Sequence, residues 1–155
     1  LSCCPNLLIA DEPTTALDVT IQAQILSMIC DLQRKYGTSV IMITHDLGVV
    51  NETCDNVAVV YAGKIIEYGD KKSIFLNPSH PYTKGLFASL PSMNGKEKRL
   101  KPIPGTLPDP TDLPKGCAFA PRCPRATEKC RSGEIPAVEV EPGHLCCCCN
   151  MEQEG

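Results

Sequence analysis

The sequence predicts an α/β fold followed by a small, loop-rich C-terminal extension dense in cysteine. Three observations carry that expectation. Two short, continuous apolar runs, "LLIAD" at 7–11 and "SVIMIT" at 39–44, have the character of parallel strands covered on both faces. The stretch between them repeats apolar residues at helical spacing, so strand, helix and strand form one crossover unit of right-handed sense. Beyond residue 115 aliphatic residues thin out while most of the eleven cysteines gather, and a hydrophobic core is not expected to order that part.

The elements follow in order. Leu7 to Asp11 reads as a central strand. From Val19 to Tyr36, Ile21, Ile25, Met28, Ile29 and Leu32 fall on one helical face, with Asp18 as N-cap and Gly37 just past the end. Ser39 to Thr44 is the second strand, and His45 stands at its C-terminal end. Asp46 to Thr53 reads as a short helix. "NVAVVYAGKIIEYGD" then reads as two strands joined by a tight hairpin at Ala62-Gly63, expected to close the sheet. The compact domain is expected to end near Asp70. Lys71 to Leu90 carries short helical patterns broken by "NPSHP", and Pro91 to Pro114 has the Pro, Gly and charge content of an extended surface linker. The sequence contains no internal repeat, and its one low-complexity feature is the "CCCC" run at 146–149.

Composition sets outer bounds. The 155 residues are 43% hydrophobic and 21% charged, ordinary for a globular domain. A net charge of −3 with scattered basic residues gives no electrostatic case for nucleic acid or an anionic membrane surface. No apolar run is long enough to span a bilayer, and a cytosolic setting is expected. The chain opens at Leu1, without methionine, and enters an apolar strand six residues later, so it reads as a fragment.

The chemistry lies at the strand tips. In open α/β sheets, ligands bind outside the carboxyl ends of the strands, where Asp11, Glu12 and His45 fall. A strand-tip carboxylate can hold Mg²⁺, which is bound by one or two carboxylates together with substrate phosphates. A second carboxylate can activate water for in-line attack on a phosphoryl group, and a histidine beside it can donate to the terminal phosphate. The pattern reads as phosphate-ester hydrolysis.

"LLIADEPTTALD" followed by "VIMITHDLGVV" resembles the second half of an ATP-binding-cassette (ABC) transporter ATPase subunit, with its Walker B strand, D-loop and switch histidine. "YAGKIIEYGD" and "NPSHPYTKGLFASLP" are similar to the oligopeptide and dipeptide import branch, with a nickel-import group close by. The resemblance implies the C-terminal part of a P-loop NTPase sheet. Residues 1–70 would be a partial nucleotide-binding domain and 71–155 the C-terminal extension of the peptide-importer branch. It further implies that Asp11 supports the Mg²⁺ shell, Glu12 polarises the attacking water, Asp18 belongs to the D-loop at the dimer seam and His45 senses the γ-phosphate. Its partners would be a second ABC ATPase subunit, identical or paralogous, transmembrane permease subunits and, indirectly, an extracellular substrate-binding protein. Such a subunit sits peripherally on the cytoplasmic face of the membrane. An isolated Asp-Glu pair before Pro13 would merely end a strand, and an isolated His45 would be structural; the surrounding match reverses both readings. His80, between Ser79 and Pro81, reads as a turn histidine.

The sequence also departs from that family pattern. A phosphate-cradling Gly-rich loop with its Lys, the glutamine loop and the Leu-Ser-Gly-Gly-Gln signature are all absent. Most of the nucleotide-binding energy and transition-state charge stabilisation is therefore missing, and the chain alone is expected to be inactive. In the tail, Cys117, Cys123 and Cys130 are separated by five and six intervening residues, gaps wider than those of zinc fingers. A fourth thiolate is available among Cys146 to Cys149. The resemblance implies a [4Fe–4S] cluster whose last ligand falls four residues after a histidine, which selects Cys148 from His144, although Cys146, Cys147 and Cys149 are equally capable donors. A structural zinc and a metal-free tail are the competing readings. At the level of function, the alternatives to the importer ATPase are a non-transport ABC ATPase and a metal-binding regulatory module.

Overall fold

A computed structural model describes residues 5–89 and 102–150. They form a mixed α/β structure that divides into two compact units between Asp55 and Asn56.

In unit 1, β1 (Leu7–Asp11), α1 (Val19–Tyr36) and β2 (Ser39–Ile43) form the expected crossover. The two strands pair in parallel, from Leu7 opposite Ser39 to Asp11 opposite Ile43. Helix α1 starts where Asp18 accepts the Ile21 N–H at 3.0 Å and stops where Gly37 turns left-handed at φ 66°, the conformation a side chain resists. Its buried residues are Leu26 and Ile29. Helix α2 (Leu47–Thr53) begins at Asp46, whose carboxylate accepts from the Gly48 and Val49 amides. Strand β1 is not central among the described residues, since it pairs only with β2. Leu7, Ile9, Ile41 and Ile43 are between 48% and 60% exposed, so the apolar runs lack here the cover that their composition calls for.

Unit 2 departs further from expectation. Strands β3 (Asn56–Tyr61) and β4 (Lys64–Asp70) make the hairpin, with Ala62 and Gly63 both at positive φ as a type I′ turn demands. The hairpin does not close the β1–β2 sheet. It belongs to a separate antiparallel sheet of order β3-β4-β6-β5, with β5 (Val138–Glu141) and β6 (His144–Cys146) supplied by the tail. The division between units therefore lies upstream of residue 70, because β4 is paired along both edges within unit 2. Asp70 ends β4 and caps α3 (Lys71–Leu76) through Lys72 N and Ser73 N.

The tail also has a core, contrary to expectation. Phe119 and Ala118 are buried against Tyr61 and Ile66, with Tyr82, Ile103, Cys117 and Cys123 packed around them. The Tyr61 and Phe119 rings meet edge to face at 5.4 Å, a preferred aromatic geometry. One aromatic residue, seated on the hairpin, does what the sparse aliphatic content could not. Much of the expected linker lies outside the described residues. Its end is not a free spacer: the Arg122 guanidinium donates to the carbonyls of Ile103 and Pro104, each at 2.9 Å, and to the Tyr61 hydroxyl at 3.3 Å.

Candidate functional site

Parallel pairing brings the two strand ends of unit 1 side by side. Glu12 N–H donates to the Ile43 carbonyl at 2.8 Å, so Glu12 leaves β1 level with the point where the chain leaves β2 for His45. Glu12 has φ 43°, a left-handed backbone that non-glycine residues adopt at a cost and that recurs where a side chain must be aimed. Its carboxylate is held on both oxygens: the Thr15 hydroxyl donates to Oε2 at 2.7 Å, and His45 Nδ1 lies 3.0 Å from Oε1. Those two contacts, Thr15 first, hold Glu12 below the usual carboxylate range. The pair is open to solvent, where such a contact adds little to stability. Asp11 sits at the last position of β1. Asp18 is occupied as the α1 cap. Thr15 escaped the sequence reading, although a hydroxyl three residues after an acid was the available signal.

In unit 2, Cys117, Cys123, Cys130, Cys147, Cys148 and Cys149 line one cavity, closed on its apolar side by Phe119, Ala120 and Ile135. Burial pushes the Cys148 thiol up, and Cys130, Cys117 and Cys123 act on it in the same direction, so these four sulfurs share one local field. Burial likewise raises Cys117. Cys130 is buried, yet hydrogen bonds from the Thr127 hydroxyl and N–H, each 3.4 Å long, hold its thiol below the ordinary range. Cys146 faces elsewhere: it is fully buried and its thiol is raised by burial and by Glu67. Among the described residues, no three His, Cys, Asp or Glu side chains are gathered as a finished metal site.

Behind the cavity lies a hub that the sequence did not announce. Glu67, on β4, is 1% exposed and accepts from Ser79 N at 2.6 Å, His80 N at 3.0 Å and His144 Nε2 at 2.8 Å. One carboxylate thereby joins β4, the start of α4 (Pro81–Ala88) and β6. His80 lies in the bend before α4, as a turn histidine would. It is 1% exposed and caps α4, its Nδ1 accepting the Tyr82 N–H at 3.1 Å. Burial pushes it down to about 4, against an opposing pull from Glu67. A Glu in a run of strand residues gives no sign of burial until its partners, twelve to seventy-seven residues away, are known.

The pattern of the family "Oligopeptide/dipeptide transporter, C-terminal region" matches residues 66–130. The oligopeptide transport ATP-binding protein AppD of Bacillus subtilis is 50% identical over 155 residues, covering 100% of this chain and 47% of AppD. OppD of Haemophilus influenzae is 56% identical over 131 residues, 84% of this chain and 41% of OppD. The dipeptide transport ATP-binding protein DppD of Bacillus subtilis is 58% identical over 130 residues, 84% of this chain and 39% of DppD. The chain thus spans less than half the length of these relatives. With half of its residues identical to AppD from end to end, and residues 66–130 matching the transporter family's C-terminal region, the chain belongs to the family of oligopeptide and dipeptide transport ATP-binding proteins.

Proposed function

We propose that this chain is part of a subunit that binds and hydrolyses ATP with Mg²⁺ to energise peptide import. The observation that supports it most directly is the Glu12–His45 contact across the paired strand ends. Asp11, the last residue of β1, would stand in the Mg²⁺ shell, and the ion would neutralise phosphate charge when bound. Glu12 draws a proton of the attacking water while Thr15 and His45 fix its two oxygens. A His45 ring so held presents its other nitrogen toward the terminal phosphate. Asp18, at the start of α1, would meet a second ATPase subunit, identical or paralogous. The assembly would include transmembrane permease subunits, served by an extracellular substrate-binding protein. Such a subunit would lie peripherally on the cytoplasmic face; among the described residues no helix is long and apolar enough to cross a membrane.

The test completes the chain with the part of AppD that the match leaves out and measures phosphate release from Mg-ATP. The chimera should hydrolyse ATP, the 155-residue chain alone should not, and Glu12→Gln should slow the chimera by about 10²- to 10⁴-fold. Full turnover in the Glu12→Gln chimera would refute the assignment, and turnover by the chain alone would refute the need for a phosphate loop. Non-transport ATPase action and a purely regulatory metal module are disfavoured by the relatives, all three of which are transport ATP-binding proteins by name.

For the cavity we propose a [4Fe–4S] cluster held by Cys117, Cys123, Cys130 and Cys148, ahead of zinc. The donor set fits in kind: four thiols around one cavity with an apolar wall, as such clusters require. Bound there, the cluster would tie the segment from Cys117 to Cys130 to the strand-end segment that carries Cys148. Anaerobic purification with iron and sulfide analysis should find about four of each per chain. A folded protein without iron, or with zinc alone, would overturn this reading.

A further inference from the structure

The sulfurs of Cys130 and Cys149 lie 3.3 Å apart, across nineteen residues of sequence. Each is placed by its own surroundings. Cys130 is buried at the end of a short 3₁₀ turn, Glu128–Cys130, and its sulfur takes the Thr127 N–H and hydroxyl. Cys149 is exposed, but the backbone carrying it is tied on both sides. Before it, Cys147 N–H donates to the Ile66 carbonyl at 2.8 Å. After it, the Asn150 amide donates to the Arg125 carbonyl at 2.6 Å. The contact between the two thiols thus joins two anchored segments rather than two mobile ends.

We propose that Cys130 and Cys149 form a reversible disulfide, with the exposed Cys149 as the sulfur that meets the oxidant and the buried Cys130 as the one that resolves it. The oxidant class is a hydroperoxide. The Cys149 sulfur attacks one peroxide oxygen as its proton passes to the Cys130 sulfur 3.3 Å away; the O–O bond breaks, Cys149 becomes a sulfenic acid, and the other oxygen takes a proton and leaves as water. The Cys130 sulfur then attacks the Cys149 sulfur and expels the sulfenic oxygen as a second water. In sum, two thiols and one hydrogen peroxide give one disulfide and two waters, with the thiols losing the two electrons that the peroxide gains. The sulfurs need approach by little more than about 1 Å to reach bonding distance, a shift that side-chain rotation supplies.

The chemistry gives Cys149 a different task from its neighbours in the "CCCC" run. It also sets an exclusion that rests on the cluster reading: Cys130 cannot serve as a thiolate ligand while bonded to Cys149. Oxidation of the pair would therefore keep the cavity from being loaded until a thiol reductant reopened it.

The experiment uses the full chain, metal-stripped and reduced, treated with one equivalent of hydrogen peroxide and then blocked with N-ethylmaleimide. Non-reducing tryptic mapping should show the peptide carrying Cys130 joined to the one beginning at Ser132, with fragmentation placing the bond at Cys149. The product should be lost in Cys149→Ser, retained in Cys147→Ser and reversed by dithiothreitol. Bonds scattered among the cavity cysteines, or peroxide yielding only sulfinic acid at Cys149, would overturn the proposal. Iron reconstitution separates it from the reading beneath it. Oxidised chain should take up iron only after dithiothreitol, while Cys149→Ser should load normally; failure of Cys149→Ser to load would make Cys149 a ligand and overturn the division of roles. A disulfide that forms in a chain that never loads iron would leave the pair standing and refute the cluster alone.

Discussion

Lowering the pH from about 7 to about 4.5 should loosen unit 2 through His80. The ring caps α4 by accepting the Tyr82 N–H at Nδ1, so the folded state needs that nitrogen unprotonated. Burial holds the folded ring neutral down to about 4, whereas in the unfolded chain it takes a proton near 6.5. Across that window the unfolded state binds more protons, so stability rises with pH there. The contribution is complete above 6.5 and is lost as the pH falls toward 4. At about 1.4 kcal/mol per pH unit, the window is worth about 3 kcal/mol, a large share of the ~5–15 kcal/mol that holds a domain folded. Acid also protonates carboxylates elsewhere in the chain, so the decisive comparison is with His80→Asn, which can still cap a helix but carries no titrating ring. Urea unfolding followed by near-ultraviolet circular dichroism of the Tyr61, Tyr82 and Phe119 rings reports on this unit. The wild-type midpoint should fall steeply below pH 6.5, and the His80→Asn midpoint should fall much less. Equal slopes for the two would refute the reasoning, and so would a wild-type midpoint that rises on acidification.

Other changes test the same frame. Glu67→Ala strands two backbone N–H groups and an imidazole in the interior and should cost about 3–5 kcal/mol in the urea midpoint, with Glu67→Gln costing clearly less. Arg122→Lys replaces a fork that satisfies three acceptors with a single point donor; it should cost about 1–2 kcal/mol and speed proteolysis around Ile103. Gly116→Ala would drive a methyl group into the Cys130 carbonyl oxygen and should destabilise unit 2 by about 1–3 kcal/mol or more, seen as a lower midpoint than that of Gly133→Ala, where nothing stands in the way.

Unit 1 was legible in the sequence because its signals are local. Asp18 and Gly37 bracket α1 at the two ends that the structure shows, and the apolar runs at 7–11 and 39–43 are the paired strands. Glu12 and His45 could be placed together because parallel strands of equal register bring their ends level. Unit 2 was read less well because its order comes from distant pairs. The pairing of β4 with β6 could not be seen in "HLC", which is too short to show alternation. Phe119 anchors a core that composition alone argued against. The Glu67 carboxylate and the buried cap at His80 look from sequence like ordinary surface residues. Of the cysteines, spacing grouped Cys117, Cys123 and Cys130, which line one cavity, but only the fold separates inward-facing Cys146 from the exposed Cys149.

The strand order of unit 2 also bears on how the chain is made. The outer edge of β4 finds its partner only when β6 has been synthesised, and the Glu67 carboxylate waits for an imidazole seventy-seven residues downstream. At ~5–20 residues per second, that delay is about 4–15 s. Throughout it the β4 edge of the hairpin stays open beside a carboxyl side chain that has yet to be enclosed. A carboxylate there keeps an unfinished edge hydrated and unattractive to other nascent strands, and it is buried only when its own imidazole arrives.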